Sequence, residues 1–325
     1  MSYRRSVVAG AVALAVSLGS VQLANAQGFG RGGAAYTPEE GSREMKDVLF
    51  NWTWHMGMLR GESEVELIET LEYRATGTVQ VNGQPCTLAG VDAAPPGELV
   101  TAGYRISVNY RIPGYRTHID CTLPNGQAFS NIETISGDYV WDEDIPGAEI
   151  VPGEGTASPN PSARDERLIR LWASPQGAAK AATAAAAGVS TEEAFTENPA
   201  RFVEQQREAG ARSQATLEWQ GRRAIISYPV PGVPGALATA TLREDYLLEE
   251  VVVEYGDDRY EFLYDDYQDF NNPYHRIEAL YAGSVVERHN GVVVRDLQTA
   301  MTEIGQVYVV VPVPESVRAA GPARN

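Results

Sequence analysis

The feature that most restricts this chain is a two-residue period that appears on both sides of its middle. Leu71, Tyr73, Ala75, Gly77, Val79 and Val81 alternate with Glu72, Arg74, Thr76, Thr78 and Gln80. Tyr104, Ile106, Val108, Tyr110 and Ile112 alternate with Arg105, Ser107, Asn109 and Arg111. Successive side chains of a strand point to opposite faces, so this spacing predicts strands with one dry and one wet face, as in antiparallel sheets. Asn82-Gly83 and Asn125-Gly126 predict hairpin turns with both turn positions at positive φ. Tyr139 to Trp141 continues the pattern. It resumes with Ala236, Ala238, Ala240 and Leu242, then 247–255 and 259–266. Strands over 275–281 and 284–289 follow, and Asn290-Gly291 turns into 292–297. A last strand, "VYVVVPV", is confined to an edge by Pro312 and Pro314, which lack an N–H for a ladder.

The middle of the chain reads differently. Pro146 to Pro161 is a Pro/Gly/Ser-rich loop. Ser162, with Asp165 and Glu166 behind it, opens a helix whose apolar side holds Leu168, Ile169, Leu171 and Trp172. Ser174 and Pro175 start a second, nearly pure alanine helix, and Gly188 stops it. Ser190 and Glu193 form a capping box, and Asn198-Pro199 opens a helix ended by Gly210. Earlier, Met45, Leu49, Trp52 and Met56 fall on one face of a short helix. The expected organisation is a β-rich part over 45–160, a helical segment over 161–212 and a β-rich part over 213–318, as two domains or one combined domain. The fold class is α+β, mostly antiparallel β: a curved, half-barrel-like sheet or sheets with a helical cover from mid-chain.

Residues 1–26 read as a secretory signal peptide. Arg4 and Arg5 precede an apolar run too short to span a bilayer, and Ala24-Asn25-Ala26 supplies small residues for cleavage. A flexible, Gly-rich lead-in over 27–44 follows. The expectation is a periplasmic or secreted protein that does not span a membrane. Two cysteines in an oxidising compartment predict a Cys86–Cys121 disulfide. A formal net charge of -17 argues against nucleic acid as a partner, because phosphate binding needs a basic face.

Chemistry is harder to find. "NWTWHMGMLRG" holds His55, Met56 and Met58, but the four histidines (His55, His118, His275, His289) show no zinc-ligand spacing. Its plainest reading is a buried helix face, with Trp52 and Met56, together with Trp172, as candidate ligand-lining residues of an apolar pocket. Asp142, Glu143 and Asp144 offer the carboxylates of a glycosidase or a calcium site, but adjacent strand residues face opposite ways, and a solvated acidic turn is the simpler reading. Asp257, Asp258, Asp265, Asp266 and Asp269 read as wet-face residues. No nucleophile elbow, P-loop or dinucleotide fingerprint is present, and no cofactor is predicted.

The stretch "VEYGDDRYEFLYDDYQDFNNPYHRIEALYAGSVVERHNGVVVRDLQ" resembles the strands of exported LolA/LppX-type lipoprotein carriers: a strand ending in "YDDYQDF", a proline, a strand bearing "RIEA", a hairpin and "VVRDL". The closing "VPVPESVR" is similar to the tail of β-domains that precede metallo-β-lactamase-fold hydrolases, but that fold's metal ligands are missing. The resemblance covers about 247–318. It implies a half-open barrel with a helical lid over an apolar cavity, and a non-catalytic protein that binds a hydrophobic or lipid-like ligand. The rival readings are an exported hydrolase of glycosides or esters, using the 142–144 acids, and a periplasmic interaction scaffold.

Overall fold

The computed structural model describes residues 36–58, 70–90, 102–195, 198–269, 279–304 and 309–323. The signal-peptide segment, His275, Val307 and Tyr308 lie outside these residues. All strands among the described residues belong to one antiparallel sheet of 14 strands. From the chain's first half come β1 (Thr70–Val81), β2 (Gln84–Leu88), β3 (Tyr104–Asn109), β4 (Gly114–Thr122), β5 (Ala128–Ser136), β6 (Tyr139–Glu143) and β7 (Ala157–Pro159). The second half gives β8 (Thr216–Gln220), β9 (Arg223–Pro229), β10 (Leu237–Leu242), β11 (Leu248–Tyr255), β12 (Asp258–Asp269), β13 (Leu280–His289) and β14 (Val292–Ile304). Each half is a meander, and the two join where β1 pairs with β14 along Leu71–Val79.

The strands β2 and β3 lie end to end in one lane between β1 and β4. Thr78–Val81 pairs with β2 and Thr70–Ala75 with β3, while β4 pairs with both. Ala89 and Gly103 close the gap between them by a backbone hydrogen bond of 3.0 Å. The result is a closed four-strand circuit rather than an even barrel. Cys86 on β2 and Cys121 on β4 are bonded across it, with Cα atoms 5.5 Å apart. Both are buried, so reduction has to open packed strands. Reduced protein, or the Cys86→Ala/Cys121→Ala variant, is expected to lose about 3 kcal/mol. Urea midpoints measured with and without reductant check this, and coincident curves would refute it.

Several turns follow the local chemistry. Asn82-Gly83 and Asn290-Gly291 both place Asn and Gly at positive φ, as two-residue hairpins require. The Asn125-Gly126 turn differs. Only Gly126 is at positive φ, because the turn is longer: Gly126 N–H bonds to Leu123 O, and Asn125 Oδ1 accepts from Gln127 N–H. The break between the expected strands 275–281 and 284–289 is absent over the described residues; β13 runs unbroken through Gly283. A Cβ there would lie 2.6 Å from the carbonyl oxygen of Asp266, a β12 residue at φ 53° that lies opposite it in the register, so glycine marks a close backbone approach. Beyond 309 the proline-bearing chain forms no strand up to α5 (Glu315–Ala320).

The helices are α1 (Met45–His55), α2 (Arg164–Ala173), α3 (Pro175–Ala187), α4 (Pro199–Glu208) and α5. Ser174 separates α2 from α3, Gly188 ends α3 at φ 72°, and Asn198 caps α4 by accepting from Ala200 and Arg201 N–H. The capping box at 190–193 yields only a 3-10 turn, Glu193–Phe195. Every residue of α3 is buried. The alanine helix is a fully buried part of the helical cover: its small side chains let β9, α1 and α4 approach it closely. One hydrophobic core runs through both β-rich parts and these helices, from Leu71 and Tyr104 through Ala182 to Val253 and Leu297. The lead-in is anchored over its described part. The Tyr36 hydroxyl bonds to Asp47, and the Arg43 guanidinium lies 4.8 Å from the Trp219 ring centre.

Candidate functional site

Where the two meanders meet, their dry faces do not close completely. A cavity of about 30 Å³ lies between β1, β3 and β4 on one side and β12, β13 and β14 on the other, with α2 and the α2–α3 elbow as its third wall. Leu71, Ile106, Val108, Leu171, Phe262, Val285 and Leu297 make its apolar surface. Tyr73, Tyr104, Tyr110, Tyr115, Tyr264 and Tyr281 bring phenol groups to it. The volume holds one or two waters and is an order of magnitude below the roughly 300 Å³ at the small end of drug-sized pockets.

The tyrosines are tied to one another and to the elbow. Tyr73 stacks on Tyr104 and tilts against Tyr281, with ring centres 5.8 and 4.9 Å apart, and hydrogen-bonds to both. Tyr110 Oη is 2.8 Å from Ser174 Oγ, and Tyr264 O–H donates to Ala173 O at 3.0 Å. Burial pushes all of these phenols above their ordinary range, so they stay neutral hydrogen-bonding groups.

At one end of the cavity sits a buried ion network. Glu287 on β13 accepts from Arg170 of α2 (2.9 Å from Nη2) and from Arg295 of β14 (2.7 Å from Nη1). Arg170 also donates to Tyr115 Oη at 3.1 Å and Glu166 at 2.7 Å, and Arg295 to Glu133 at 3.1 Å. Burial raises the Glu287 carboxyl above its usual range, against the pull of Arg170. Arg170 stays fully charged, because Glu287, Tyr115 and Glu166 outweigh its own desolvation. These groups chiefly satisfy one another, so the network orients the cavity wall and offers its polar end as a fixed dipole.

The predicted residues lie elsewhere. Trp52, Met56 and Trp172 are fully buried, but none is among the cavity-lining residues. Trp52 Nε1–H donates to Sδ of Met56, the residue that caps α1, at 3.1 Å. Trp172 packs beside Tyr110, with ring centres 6.4 Å apart. His55 is exposed near Tyr246, His289 bonds to Asp258 at 2.8 Å, and His118 is half-buried on β4. Among the described residues no group of three His, Cys, Asp or Glu side chains converges to hold a metal.

Of the 142–144 acids only Asp144 lies exposed in a bend, where it accepts from Thr156 N–H; Asp142 and Glu143 are part of β6. The Glu143 side chain is 0% exposed and accepts from Arg116 at 2.9 and 3.0 Å, Trp141 Nε1–H at 2.8 Å and Gly147 N–H at 2.6 Å. Asp142, on the opposite face, pairs with Arg167 and Asn160. With both carboxylates committed to structural bonds on opposite faces, they do not form an acid–base pair. Asp265 is exposed on the wet face, as the spacing implies. The cavity residues had a sequence signal that went unused. Glu287 shares the parity of Tyr281 and Val285, Arg295 that of Leu297, and Arg170 falls amid Leu168, Ile169, Leu171 and Trp172.

Another buried carboxylate, Glu72, lies on the face of β1 opposite the cavity. Glu72 accepts from Arg105 and Ser107, each at 2.8 Å, and from Arg74 at 3.0 Å. Burial works to raise its carboxyl, but these hydrogen bonds outweigh it and hold the group below the usual glutamate range. A depressed folded value adds stability that is present above the unfolded value and lost as pH falls through the folded one. Glu72→Gln is therefore expected to be less stable at pH 7, with the gap to the parent narrowing below about pH 4.5. Urea midpoints against pH test the sign; a constant gap would refute it.

Among the described residues no helix is long and apolar enough to cross a membrane. The sequence matches no protein-family model and no curated protein.

Proposed function

We propose that this chain is an exported, non-catalytic protein that binds a compact amphipathic molecule in the tyrosine-lined cavity. The observation that carries this reading is the convergence of six phenols and an Arg–Glu–Arg network on one apolar cleft between the two meanders. Apolar walls suit a hydrocarbon or ring, and the hydroxyls and ion network suit one polar end. Export rests on residues 1–26 and fits the disulfide between Cys86 and Cys121. The non-catalytic reading rests on the absence of nucleophile and metal signatures in the sequence and on the structural commitment of Glu143 and Asp142.

The ligand narrows from the lipid-like class of the sequence reading. About 30 Å³ takes water and not an acyl chain. The wall that would have to withdraw for a chain is α2, which is held by Arg167 bonds to Thr134 O and Trp141 O and by Arg170 on Glu287. Short-chain acids and single-ring phenols are the amphipathic molecules that need the least widening of the cavity, which for a benzene-sized ring is to about 150 Å³. Ligand-observed NMR with a panel of these molecules, beside long-chain fatty acids, tests the reading. Binding by the short molecules and its loss in the cavity-filling variant Val285→Phe are expected. No binding across the panel, together with no small molecule released on denaturing the protein purified from its exporting cell, would remove the proposal.

A further inference from the structure

The charged end of the cavity has no vacancy for an ion. Every nitrogen of the Arg170 guanidinium already donates: Nε to Glu287, Nη1 to Tyr115 Oη, and Nη2 to both Glu166 and Glu287. Both terminal nitrogens of Arg295 donate as well, Nη1 to Glu287 and Nη2 to Glu133. Glu133 also lies 3.8 Å from Arg170 Nη1. Two guanidinium groups therefore face three carboxylates. A further carboxylate brought in by a ligand would add to that excess of negative charge where few water molecules are left to solvate it. Glu287 shows the direction: burial, Glu166 and Glu133 raise its carboxyl above the usual range even with Arg170 beside it.

The hydroxyls tell a different story. Ser174 Oγ–H donates to Leu171 O at 2.6 Å, so Tyr110 gives its proton to Ser174 Oγ, and Tyr264 gives its own to Ala173 O. Tyr115 stands apart. Its side chain is fully buried on the cavity wall, and its hydrogen bond among the described residues is the one that it accepts from Arg170. A phenol donates one proton besides accepting, so the Tyr115 proton is left for an acceptor inside the cavity. The Arg170 N–H on its oxygen strengthens that O–H as a donor. A water fills this role in the free protein, and the oxygen of a ligand would fill it in the complex.

Taking the cavity as the binding site, we propose that it accepts only uncharged molecules, with a ligand oxygen receiving the Tyr115 O–H. A small alcohol or phenol binds as it is, and a short-chain acid binds only in its protonated form. The inference rests on the reading under Proposed function and narrows it from amphipathic to neutral ligands. The other titratable or charged groups acting on this end are Arg167 on Tyr115, His289 on Glu166, and Tyr104 and Tyr260 beside Glu287. A change of charge on any of them, or on Glu287, alters the site for a neutral ligand and an acid alike. A neutral ligand of the same length is therefore the internal reference.

The test measures affinities of butanol, butyric acid and phenol for the full-length protein by ligand-observed NMR. Between about pH 5 and pH 7 the ratio of acid to alcohol affinity is expected to fall at least tenfold, because the neutral fraction of the acid falls with it. A constant or rising ratio would mean that the carboxylate itself binds, and would overturn the proposal. Tyr115→Phe keeps the ring and removes the donor, and phenol and butanol are expected to bind it at least tenfold more weakly. Unchanged affinity in the folded variant would overturn Tyr115 as the donor. The ratio in the parent protein decides the charge preference whether or not that variant folds. Failure of the underlying reading looks different: none of the three molecules binds at any pH, or all bind Val285→Phe as well as the parent.

Discussion

Glu287→Ala is expected to cost about 3–5 kcal/mol, because it strands Arg170 and Arg295 in the interior without their shared counter-ion. For a domain of this size that is a fall of about 10 °C in melting temperature. The loss measures a broken pair and not the worth of the network. Replacing Arg170, Glu287 and Arg295 together with methionine should regain most of it, because desolvating three charges offsets much of their mutual attraction. Thermal melts of the single and triple variants check both halves. A single variant within about 1 kcal/mol of the parent would mean that water reaches the two guanidinium groups and screens them.

Trp172→Ala is expected to be comparably damaging, at about 3–5 kcal/mol, by leaving a cavity in the core between α2 and the sheet. Trp172→Phe keeps most of the volume and should recover more than half of the loss. Urea denaturation gives the energies, and the same samples separate two roles for this residue. A core residue changes stability and leaves ligand affinity nearly untouched in the folded Phe variant. A marked loss of affinity in that variant would place Trp172 in the binding site.

How far the sequence disclosed this fold depends on how local each determinant is. Asn82-Gly83, Asn290-Gly291, the Gly188 stop and the Asn198 cap are decided within a few residues, and each appears where its chemistry puts it. The mostly antiparallel sheet with mid-chain helices was readable from alternation alone. The break left at Gly283 was misplaced because a glycine that permits close approach looks the same in sequence as one that interrupts a strand. Glu143 misled differently. Alternation correctly sent Asp142 and Glu143 to opposite faces, but it could not say that the second face is also covered, here by the 144–156 loop and the C-terminal segment. The cavity was the least legible part. Its tyrosines come from strands far apart in sequence, and only the β1–β14 pairing brings them to one place.

That pairing governs the order in which the molecule can be completed. Thr70–Val81 lies at the seam of the sheet, and its neighbour there is Val292–Ile304, more than two hundred residues later. Until that late strand arrives, each meander ends in an unpaired backbone edge open to other chains. A chain threaded N-terminus first through a narrow pore would therefore reach the far side almost entirely before its two halves could zip together. Closure of so long a loop makes the final step slow relative to formation of either half.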